Sequence, residues 1–379
     1  MDFSLNDKQK MLVNMVRKMA DKEFKANASI IDKEASYPWE HLKKLSEAGL
    51  MGLSIPEKYG GSEAGHMSVV LVVENLARVC LTTAGIVSLH SGACSNAIVH
   101  FGSEKLKQRF LPGMAKGEIL PAYAQIEPNA GSDVGSITTK AQDKGDYYLV
   151  NGRKAFISNA AEGSIFVTIV RLGEQKGTRG LGCIIIEKDT PGLAVGKKEE
   201  KLGFRGYSCC DVIFEDCKVP KENLLVPEGG FRKMMEAMNA ERCYNAAFSL
   251  GIAQGAFDEA LRYSKERPAF GRLISQFQAI QYMLADMKMK IDAARLLIYR
   301  AATNAEKGLP NPLETSLAKA YANEMVCEVT DKAVRIHGGY GFLKEYPVER
   351  MLRDARFPQL GGGTIEMQKN TIGRLLVKD

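Results

Sequence analysis

The hydrophobic periodicity of the chain changes twice along its length, and this change limits the folds that the sequence allows. Up to about residue 117, apolar residues recur at helical spacing. From about 121 to 227, short β-rich runs alternate with turn pairs such as Asn151-Gly152 and Pro191-Gly192. From about residue 230 the helical spacing returns. The sequence therefore predicts an order of helices, then strands, then helices.

The predicted elements support an α+β fold in three parts. The clearest helices are expected at Trp39–Ala48, Ser68–Cys80, Ser103–Ala115, Phe231–Lys265, Phe277–Lys307 and Pro312–His337. Strands are expected at Tyr147–Val150, Ile165–Val170, Cys183–Ile186 and Val212–Phe214. We divide the chain into an N-terminal helical domain (1–120), a middle antiparallel, β-barrel-like domain (121–228) and a C-terminal helical bundle (229–379).

Composition excludes several classes of protein. The formal charge of +6 is spread along the 379 residues, which does not favour nucleic-acid binding. The sequence contains no run of about 18 apolar residues, so no membrane span is predicted. The first residues lack a signal pattern, so we expect a cytoplasmic protein. The eight cysteines form no C-x-x-C pair and the five histidines complete no zinc spacing, so we expect reduced structural thiols and no metal.

Familiar nucleotide-binding loops are missing from the sequence. No predicted strand leads through G-x-G-x-x-G into a helix, and G-x-x-x-x-G-K-[ST] does not occur. A Rossmann or P-loop site is therefore disfavoured, and a bound dinucleotide would have to be held by other means.

The helix predicted after Gly230 carries an unusual acidic residue. Glu241 lies on a stripe with helical spacing that is otherwise mainly apolar; the stripe comprises Met234, Met238, Glu241, Asn245, Phe248 and Ile252. A carboxylate facing an apolar interior has a raised pKa, which suits a general base. The alternative is a structural ion pair at the helix surface, with Arg242 or another cation.

Three further clusters are weaker signals, since each is also explained by local structure. The stretch Glu127–Asp133 is a turn that brings backbone N–H groups towards a ligand. Arg267 and Phe270-Gly271 precede Gln278. The glycines of His337–Phe342 either cap a helix or allow a flat or phosphorylated ligand to approach the backbone.

Taken together in this order, these motifs resemble the acyl-CoA dehydrogenase family over essentially the whole chain. The matching stretches are EPNAGSD (127–133), NGRKAFISN (151–159), ERPAFGRLISQFQAIQ (266–281), IHGGYGF (336–342), EYPVERMLRDAR (345–356) and GGGTIEMQKNTIGR (361–374). The resemblance implies FAD, an acyl-CoA thioester, an electron-transferring flavoprotein as electron acceptor, and a homotetramer built as a dimer of dimers.

The resemblance also implies roles for individual positions. Those implied for cofactor binding are Tyr123, Gln125, Ile126, Ser132, Phe156, Ser158, Arg267, Phe270, Gln278, Arg335, Gly338, Gly339, Thr364 and Glu366. Those implied for substrate binding are Ser132, Asn239, Arg242, His90 and Ser91. Ile126 stands where the family often has Thr or Ser, and Arg335 where it often has Gln, so either departure can tune the flavin potential.

One departure concerns the catalytic base. Most members carry it in a Y-E-G-T stretch near the C-terminus, where this sequence has Gly362. Isovaleryl- and long-chain-type members carry it on the helix instead, at the position of Glu241. The resemblance and the helical stripe therefore point to the same residue, and Gly362 keeps a backbone N–H that can donate to the thioester oxygen.

The expected activity is α,β-dehydrogenation of an acyl-CoA, with Glu241 removing the α-proton and the β-hydride passing to flavin N5. One alternative is an enoyl-CoA reductase of an anaerobe, since the Ser208-Cys209-Cys210 stretch and the base-less glycine motif resemble crotonobetainyl-CoA reductase. Another is a scaffold that binds flavin or acyl-CoA without catalysis. The sequence does not specify the acyl group, although the small residues around His90 are compatible with a bulky, cyclic or polar one.

Overall fold

Helices form the N-terminal part of the computed structural model, which describes residues 4–305 and 308–378. They are α1 (Asp7–Met19), α2 (Ala28–Glu34), α3 (Trp39–Glu47), α4 (Gly65–Ala77), α5 (Leu81–Leu89), α6 (Ser95–Phe101) and α7 (Glu104–Ala115). A capping box starts α1, because the Asn6 side chain accepts from the N–H of Gln9 and the Gln9 side chain accepts from that of Asn6. The helix expected at Ser68–Cys80 begins earlier, at Gly65, and Cys80 is extended.

The middle part of the chain is a sheet. Its strands are β1 (Pro121–Ala124), β2 (Lys140–Asp143), β3 (Tyr147–Ser158), β4 (Ile165–Arg171), β5 (Leu181–Glu187), β6 (Leu193–Val195), β7 (Cys209–Pro220) and β8 (Leu224–Val226). Their order is β6-β7-β3-β2-β4-β5-β8, with β1 added on β4. Most pairings are antiparallel as expected, but β1 pairs with β4 in parallel, and β2 also meets β4 in parallel.

The pair Asn151-Gly152, expected to separate two strands, lies inside β3. The register of β3 against β7 shifts there, between Val150 and Gly152. Gly152 has φ +149°, and a Cβ on it would lie 2.7 Å from the Cα of Thr139. The glycine therefore marks a bulge under close backbone contact and not a turn, which makes β3 longer than predicted.

Helices return after the sheet. They are α8 (Phe231–Glu266), α9 (Gln278–Thr303), α10 (Pro312–His337), α11 (Pro347–Asp354), α12 (Phe357–Leu360) and α13 (Ile365–Leu376), with a short hairpin of β9 (Pro268–Ala269) and β10 (Arg272–Leu273) after α8. The helix expected at Phe277–Lys307 ends earlier, at Thr303, and Lys307 lies outside the described residues. Within the described residues, no helix combines the length and apolar character needed to cross a membrane.

The N-terminal and C-terminal helices share one hydrophobic core, which α4 and α5 form together with α8, α9 and α10. A second core joins the start of α8 to α6, α7 and one face of the sheet, and a third lies on the other side of the sheet. Met234 and Ala237 belong to the second core, whereas Ala240 and Tyr244 belong to the first. Glu241 therefore lies where two cores meet.

Candidate active site

The stripe predicted on α8 is buried, and Glu241 is buried with it. Glu241 is 7% exposed, and Asn245, one turn further, is also buried. The guanidinium of Arg242 donates to the side chain of Asn239 at 2.9 Å. No cation in the described parts of the chain lies within salt-bridge distance of Glu241, so the alternative of a surface ion pair is wrong.

The carboxylate of Glu241 lies in a slot between two glycines. A Cβ on Gly92 would lie 1.7 Å from Glu241 Oε2, and a Cβ on Gly362 would lie 3.9 Å from Glu241 Cγ. Gly92 belongs to a π-helical turn, His90–Cys94, between α5 and α6, and its φ and ψ of −77° and −135° are not helical. Such turns are frequent at functional sites, and this one opens the space that the carboxylate occupies.

Electrostatics make Glu241 suitable for exchanging a proton near neutral pH. Burial raises the pKa of Glu241 to about 7, although the N–H of Ala93 donates to it and the positive charge of Lys319 acts on it in the opposite direction. A carboxyl whose pKa lies near the working pH is an effective general base.

The loop from Gly361 to Gly363 lies beside this carboxylate. Gly362 has φ +68°, a left-handed conformation that favours glycine. Its N–H donates to no group in the described part of the chain. The loop is held by Lys319, which sequence reasoning missed: Nζ of this fully buried lysine donates to the carbonyls of Gly363 at 2.9 Å and Pro358 at 3.0 Å.

Asn239 and Arg242 lie next to the base on α8. Arg242 Nε is buried without a hydrogen-bond partner among the described residues. The charge of Arg242 also acts on Tyr123, whose hydroxyl donates to Gln125 at 2.9 Å. A buried donor without a partner is uncommon and indicates a polar ligand. The predicted substrate residues on α8 and two predicted cofactor residues therefore lie in one region.

His90 and Ser91 are buried in the π-helical turn. His90 Nε2 bonds the carbonyl of Met114 at 2.9 Å, while His90 Nδ1 and the Ser91 hydroxyl have no partner among the described residues. Burial lowers the pKa of His90 to about 4, so its imidazole is neutral. Their place beside Gly92 brings both residues close to the slot of Glu241.

A second concave region is a groove with a volume of about 430 Å³, where α8 ends and α10 is followed by a 3-10 turn. It is lined by Arg267, Gly338, Gly339, Tyr340 and other residues. The guanidinium of Arg267 lies 5.3 Å from the ring centroid of Tyr340. Gly338, at φ +60°, both caps α10 and leaves backbone exposed, so the two interpretations of these glycines are compatible. Three predicted cofactor residues meet in this groove.

Phe156 and its neighbours lie at an irregular point of β3. Phe156 has φ +57° and is 65% exposed, next to the second register shift of that strand. The N–H of Ala155 donates to the carbonyl of Ile126 at 2.8 Å, which joins β3 to the segment after β1. Ser158 pairs with Cys209 across the sheet. This geometry presents an aromatic ring to solvent beside the predicted flavin residues.

The remaining predicted residues do not come together in a single site within one chain. Phe270 is 96% exposed, Gln278 donates to the hydroxyl of Tyr282 at 2.8 Å, and Arg335 lies on the exposed side of α10. The exposed Ser132 lies on the loop after β1, and Thr364 caps α13, of which Glu366 is in the first turn. Residues that act across a subunit interface would have this exposed placement.

Comparisons with known proteins agree with this arrangement. The chain matches three family descriptions in order: acyl-CoA dehydrogenase N-terminal domain over residues 6–118, middle domain over 122–217 and C-terminal domain over 228–377. It is 43% identical to an acyl-CoA dehydrogenase, short-chain specific, of Clostridium acetobutylicum, over 98% of each chain.

Two further relatives differ in the activity that their names state. The chain is 40% identical to the caffeyl-CoA reductase–Etf complex subunit CarC of Acetobacterium woodii, over 98% of this chain and 99% of that one. Its fold matches butyryl-CoA dehydrogenase from Megasphaera elsdenii with a TM-score of 0.97 and 38% identity, over 100% of both chains. One fold thus serves proteins named for oxidation and proteins named for reduction of acyl-CoA thioesters.

Proposed function

The chain belongs to the acyl-CoA dehydrogenase family, and from this premise we propose that it is an FAD-dependent enzyme that oxidises the Cα–Cβ bond of an acyl-CoA with Glu241 as its base. The observation that carries the proposal is the slot between Gly92 and Gly362, in which a buried carboxylate lies beside the Gly362 N–H, neither of them paired with a cation or an acceptor among the residues that the structure describes. Gly362 occupies the position at which most members of the family carry the base.

Each residue of the slot has a separate role in the proposed reaction. Glu241 takes the α-proton, while the N–H of Gly362 donates to the thioester oxygen and stabilises the charge that develops there. Arg242 and Asn239 hold the thioester end of the substrate, and Arg242 Nε, to which the described residues offer no acceptor, supplies a donor for this purpose. Burial of the slot keeps water away from the carboxylate.

The groove at the end of α8 fits part of FAD. Arg267 supplies a fixed cation for a pyrophosphate, and a Cβ on Gly338 or Gly339 would meet nothing within 4 Å, so their backbone is open to a ligand. When bound, FAD supplies the acceptor for the hydride that leaves the β-carbon. Phe156 and Ser158 would flank the flavin, with the Ser158 hydroxyl available as a hydrogen-bond donor to it.

We further propose a homotetramer, a dimer of dimers, that passes its electrons to an electron-transferring flavoprotein. Tyr282, Met289 and Leu296 recur every seven residues on α9 and are 66%, 66% and 48% exposed. An apolar stripe of this kind favours burial against another copy of the chain. Light scattering on the eluted protein tests this: a tetramer that Met289→Glu splits supports it, and a monomeric wild type contradicts it.

All eight cysteines are free thiols, in keeping with a reducing compartment, and we place the enzyme in the cytoplasm.

Anaerobic titration of the purified protein with a panel of acyl-CoA thioesters tests the activity. We expect a yellow protein whose flavin absorbance is bleached by at least one thioester. Glu241→Gln should retain FAD and lower the rate of bleaching roughly 10²- to 10⁴-fold. The matched control is Glu236→Gln, on the same helix but 44% exposed and paired with Arg232, which should bleach like wild type.

Two outcomes would contradict the assignment. If Glu241→Gln bleaches within a few-fold of wild type, Glu241 is not the base. A colourless protein, or a yellow one that no thioester bleaches, favours the scaffold without catalysis.

The same site also allows the opposite direction, and the similarity to a caffeyl-CoA reductase subunit favours testing it. In that direction the hydride enters the β-carbon and Glu241 returns a proton to the α-carbon. Assays with an enoyl-CoA and a reduced carrier, run beside assays with an acyl-CoA and an oxidant, separate the two.

A further inference from the structure

Lys319 is the second buried charge beside the slot, and the mechanism above does not use it. It lies in α10 with a side chain that is fully buried. Lys319 Cε would lie 3.6 Å from a Cβ on Gly362, and the same Cβ would lie 3.9 Å from Glu241 Cγ. Its ammonium group pairs with no carboxylate at salt-bridge distance in the described parts of the chain. The lysine, the glycine and the glutamate are therefore immediate neighbours.

The hydrogen bonds of Lys319 fix the backbone on both sides of Gly362. Nζ donates to the carbonyl of Gly363, the residue after Gly362, and to that of Pro358, in α12 before it. Asn323, one turn further along α10, also donates to Pro358 at 2.6 Å and joins the loop to Asn245 of α8 at 3.0 Å. Asn323 adds a neutral bond to this loop, whereas Lys319 also adds a charge.

We propose that Lys319 is a positioning residue for the reaction: it holds the Gly362 turn through two carbonyls, and its charge sets the proton affinity of Glu241. This inference rests on the proposed function, because the role of the Gly362 N–H and of the Glu241 proton is defined there. It goes beyond that function by naming the group that adjusts the base.

The groups around the pair leave Lys319 as the cation that faces Glu241 across the slot. Arg242 on α8 points to Asn239 and acts on Lys319 as a like charge. The other titratable groups on which the charge of Glu241 acts are Cys94 after α5, Tyr123 of β1, Tyr207 before β7 and Tyr244 of α8. Burial raises the pKa of each of these four groups, so they stay neutral. Lys319 is then the charged neighbour that affects the protonation of Glu241.

The titration of the two groups is coupled. Burial lowers the pKa of Lys319 to about 7, Arg242 lowers it as well, and Glu241 raises it. The pKa of Glu241 is raised to about 7, and the charge of Lys319 limits that rise. Near neutral pH the cation therefore favours the ionised carboxylate that must accept the α-proton. Without it, Glu241 would hold a proton to a higher pH.

Lys319→Met removes both the bonds and the charge, and Lys319→Gln keeps a donor but removes the charge. We expect the acid limb of kcat/KM against pH to move upward by about one pH unit or more in both variants. kcat should fall further in Lys319→Met, since it alone frees the turn. Infrared difference spectra between each variant and the same variant carrying Glu241→Gln measure the protonation of Glu241 directly, without substrate.

Lys201→Met is the matched control, because Lys201 also donates to two backbone carbonyls, those of Phe204 and Tyr207, but does not act on Glu241. Its pH profile should match that of wild type. If neither the acid limb of kcat/KM nor the infrared titration of Glu241 moves in Lys319→Gln, the inference is overturned and Lys319 is structural only. If wild type oxidises no acyl-CoA while the infrared titration still shifts, the proposed function fails and the effect of Lys319 on Glu241 stands.

Discussion

Glu127 and Glu241 are both buried, and a buried lysine lies near each, yet their surroundings give them opposite properties. Glu127, after β1, accepts from Lys154 Nζ at 2.8 Å, from the N–H groups of Thr138 and Thr139 at 2.8 and 2.9 Å, and from the Thr138 hydroxyl at 2.8 Å. Burial alone would raise its pKa, but these partners lower it to about 2. Glu127 is thus a fixed anion.

Glu241 has the opposite balance. The N–H of Ala93 is its one donor among the described residues, and Lys319 acts on it from beyond salt-bridge distance, so burial prevails and the pKa rises to about 7. The comparison teaches that a paired cation and several donors can outweigh the burial of a carboxylate, whereas burial that few partners oppose raises its pKa into the range of proton transfer.

The largest expected difference between the two sites is in stability. Glu127→Gln leaves Lys154 buried and unpaired, which should lower the free energy of unfolding by about 3 to 5 kcal/mol. Near pH 4.5, where the Glu241 carboxyl is neutral in the folded protein, Glu241→Gln replaces one neutral group by another, so its effect there should stay within about 1 kcal/mol. Urea and thermal unfolding of the FAD-bound proteins measure both.

The control for that difference is the double variant Glu127→Gln/Lys154→Met, which removes the unpaired charge and should recover much of the loss. Equal losses for Glu127→Gln and Glu241→Gln would show that the two carboxylates do not differ in the proposed way.

A change at Gly92 tests whether the slot holds the Glu241 carboxylate in the position that the reaction needs. In Gly92→Ala the new methyl group would lie 1.7 Å from Oε2, so the carboxylate must move by more than 1 Å. A displacement of that size should lower turnover about 10²-fold, while bound FAD is retained. Gly373→Ala, where a Cβ would meet nothing within 4 Å, is the control and should keep full activity. Wild-type turnover in Gly92→Ala would mean that the slot does not position the base.

The sequence allowed much of this site to be predicted, and the reasons for what it missed are physical. Glu241 interrupts an apolar stripe, a local pattern that can be read along one helix. Lys319 lies at helical spacing with Asn323 and Val326 on the buried face of α10, but Thr315 and Ser316 make that face partly polar. The stripe was therefore less distinct, although a lysine at this spacing was a usable signal.

Other features depend on contacts between distant parts of the chain. Gly92 must be small because of a side chain on α8, a requirement that no pattern around residue 92 carries. The parallel pairing of β1 with β4 likewise brings together segments whose own sequences do not specify their relative direction. The order of helices and strands was predictable because the period of apolar residues is local.

The pH dependence of stability should separate the two carboxylates by sign. The raised pKa of Glu241 favours the folded protein at low pH, and this contribution of about 3 kcal/mol is lost between about pH 4.5 and pH 7. The lowered pKa of Glu127 acts in the opposite sense, because its contribution is complete above about pH 4.5 and is lost as the pH falls towards 2.

Urea unfolding at a series of pH values measures these contributions as differences from each Gln variant. The stability of wild type relative to Glu241→Gln should fall as the pH rises from about 4.5 to 7, and its stability relative to Glu127→Gln should fall as the pH drops from about 4.5 towards 2. If both stability differences change with pH in the same direction, the proposed contrast between Glu127 and Glu241 is wrong.

The smallest expected effect comes from removing one donor of Glu127. Thr138→Val deletes the hydroxyl that donates at 2.8 Å but keeps the backbone N–H bond, so Glu127 retains Lys154 and two N–H groups. A hydrogen bond to a charged acceptor contributes about 1.5 kcal/mol, and the exposure of Thr138 reduces this to about 1 kcal/mol. Thr138→Ser keeps the hydroxyl and is the control. Because each lost donor brings Glu127 closer to the state of Glu241, its pKa should rise in Thr138→Val and not in Thr138→Ser, and infrared titration against Glu127→Gln would detect the change. If the pKa does not move, Lys154 and the backbone suffice to keep Glu127 ionised, and the charge of the nearby lysine, more than the number of donors, separates the two sites.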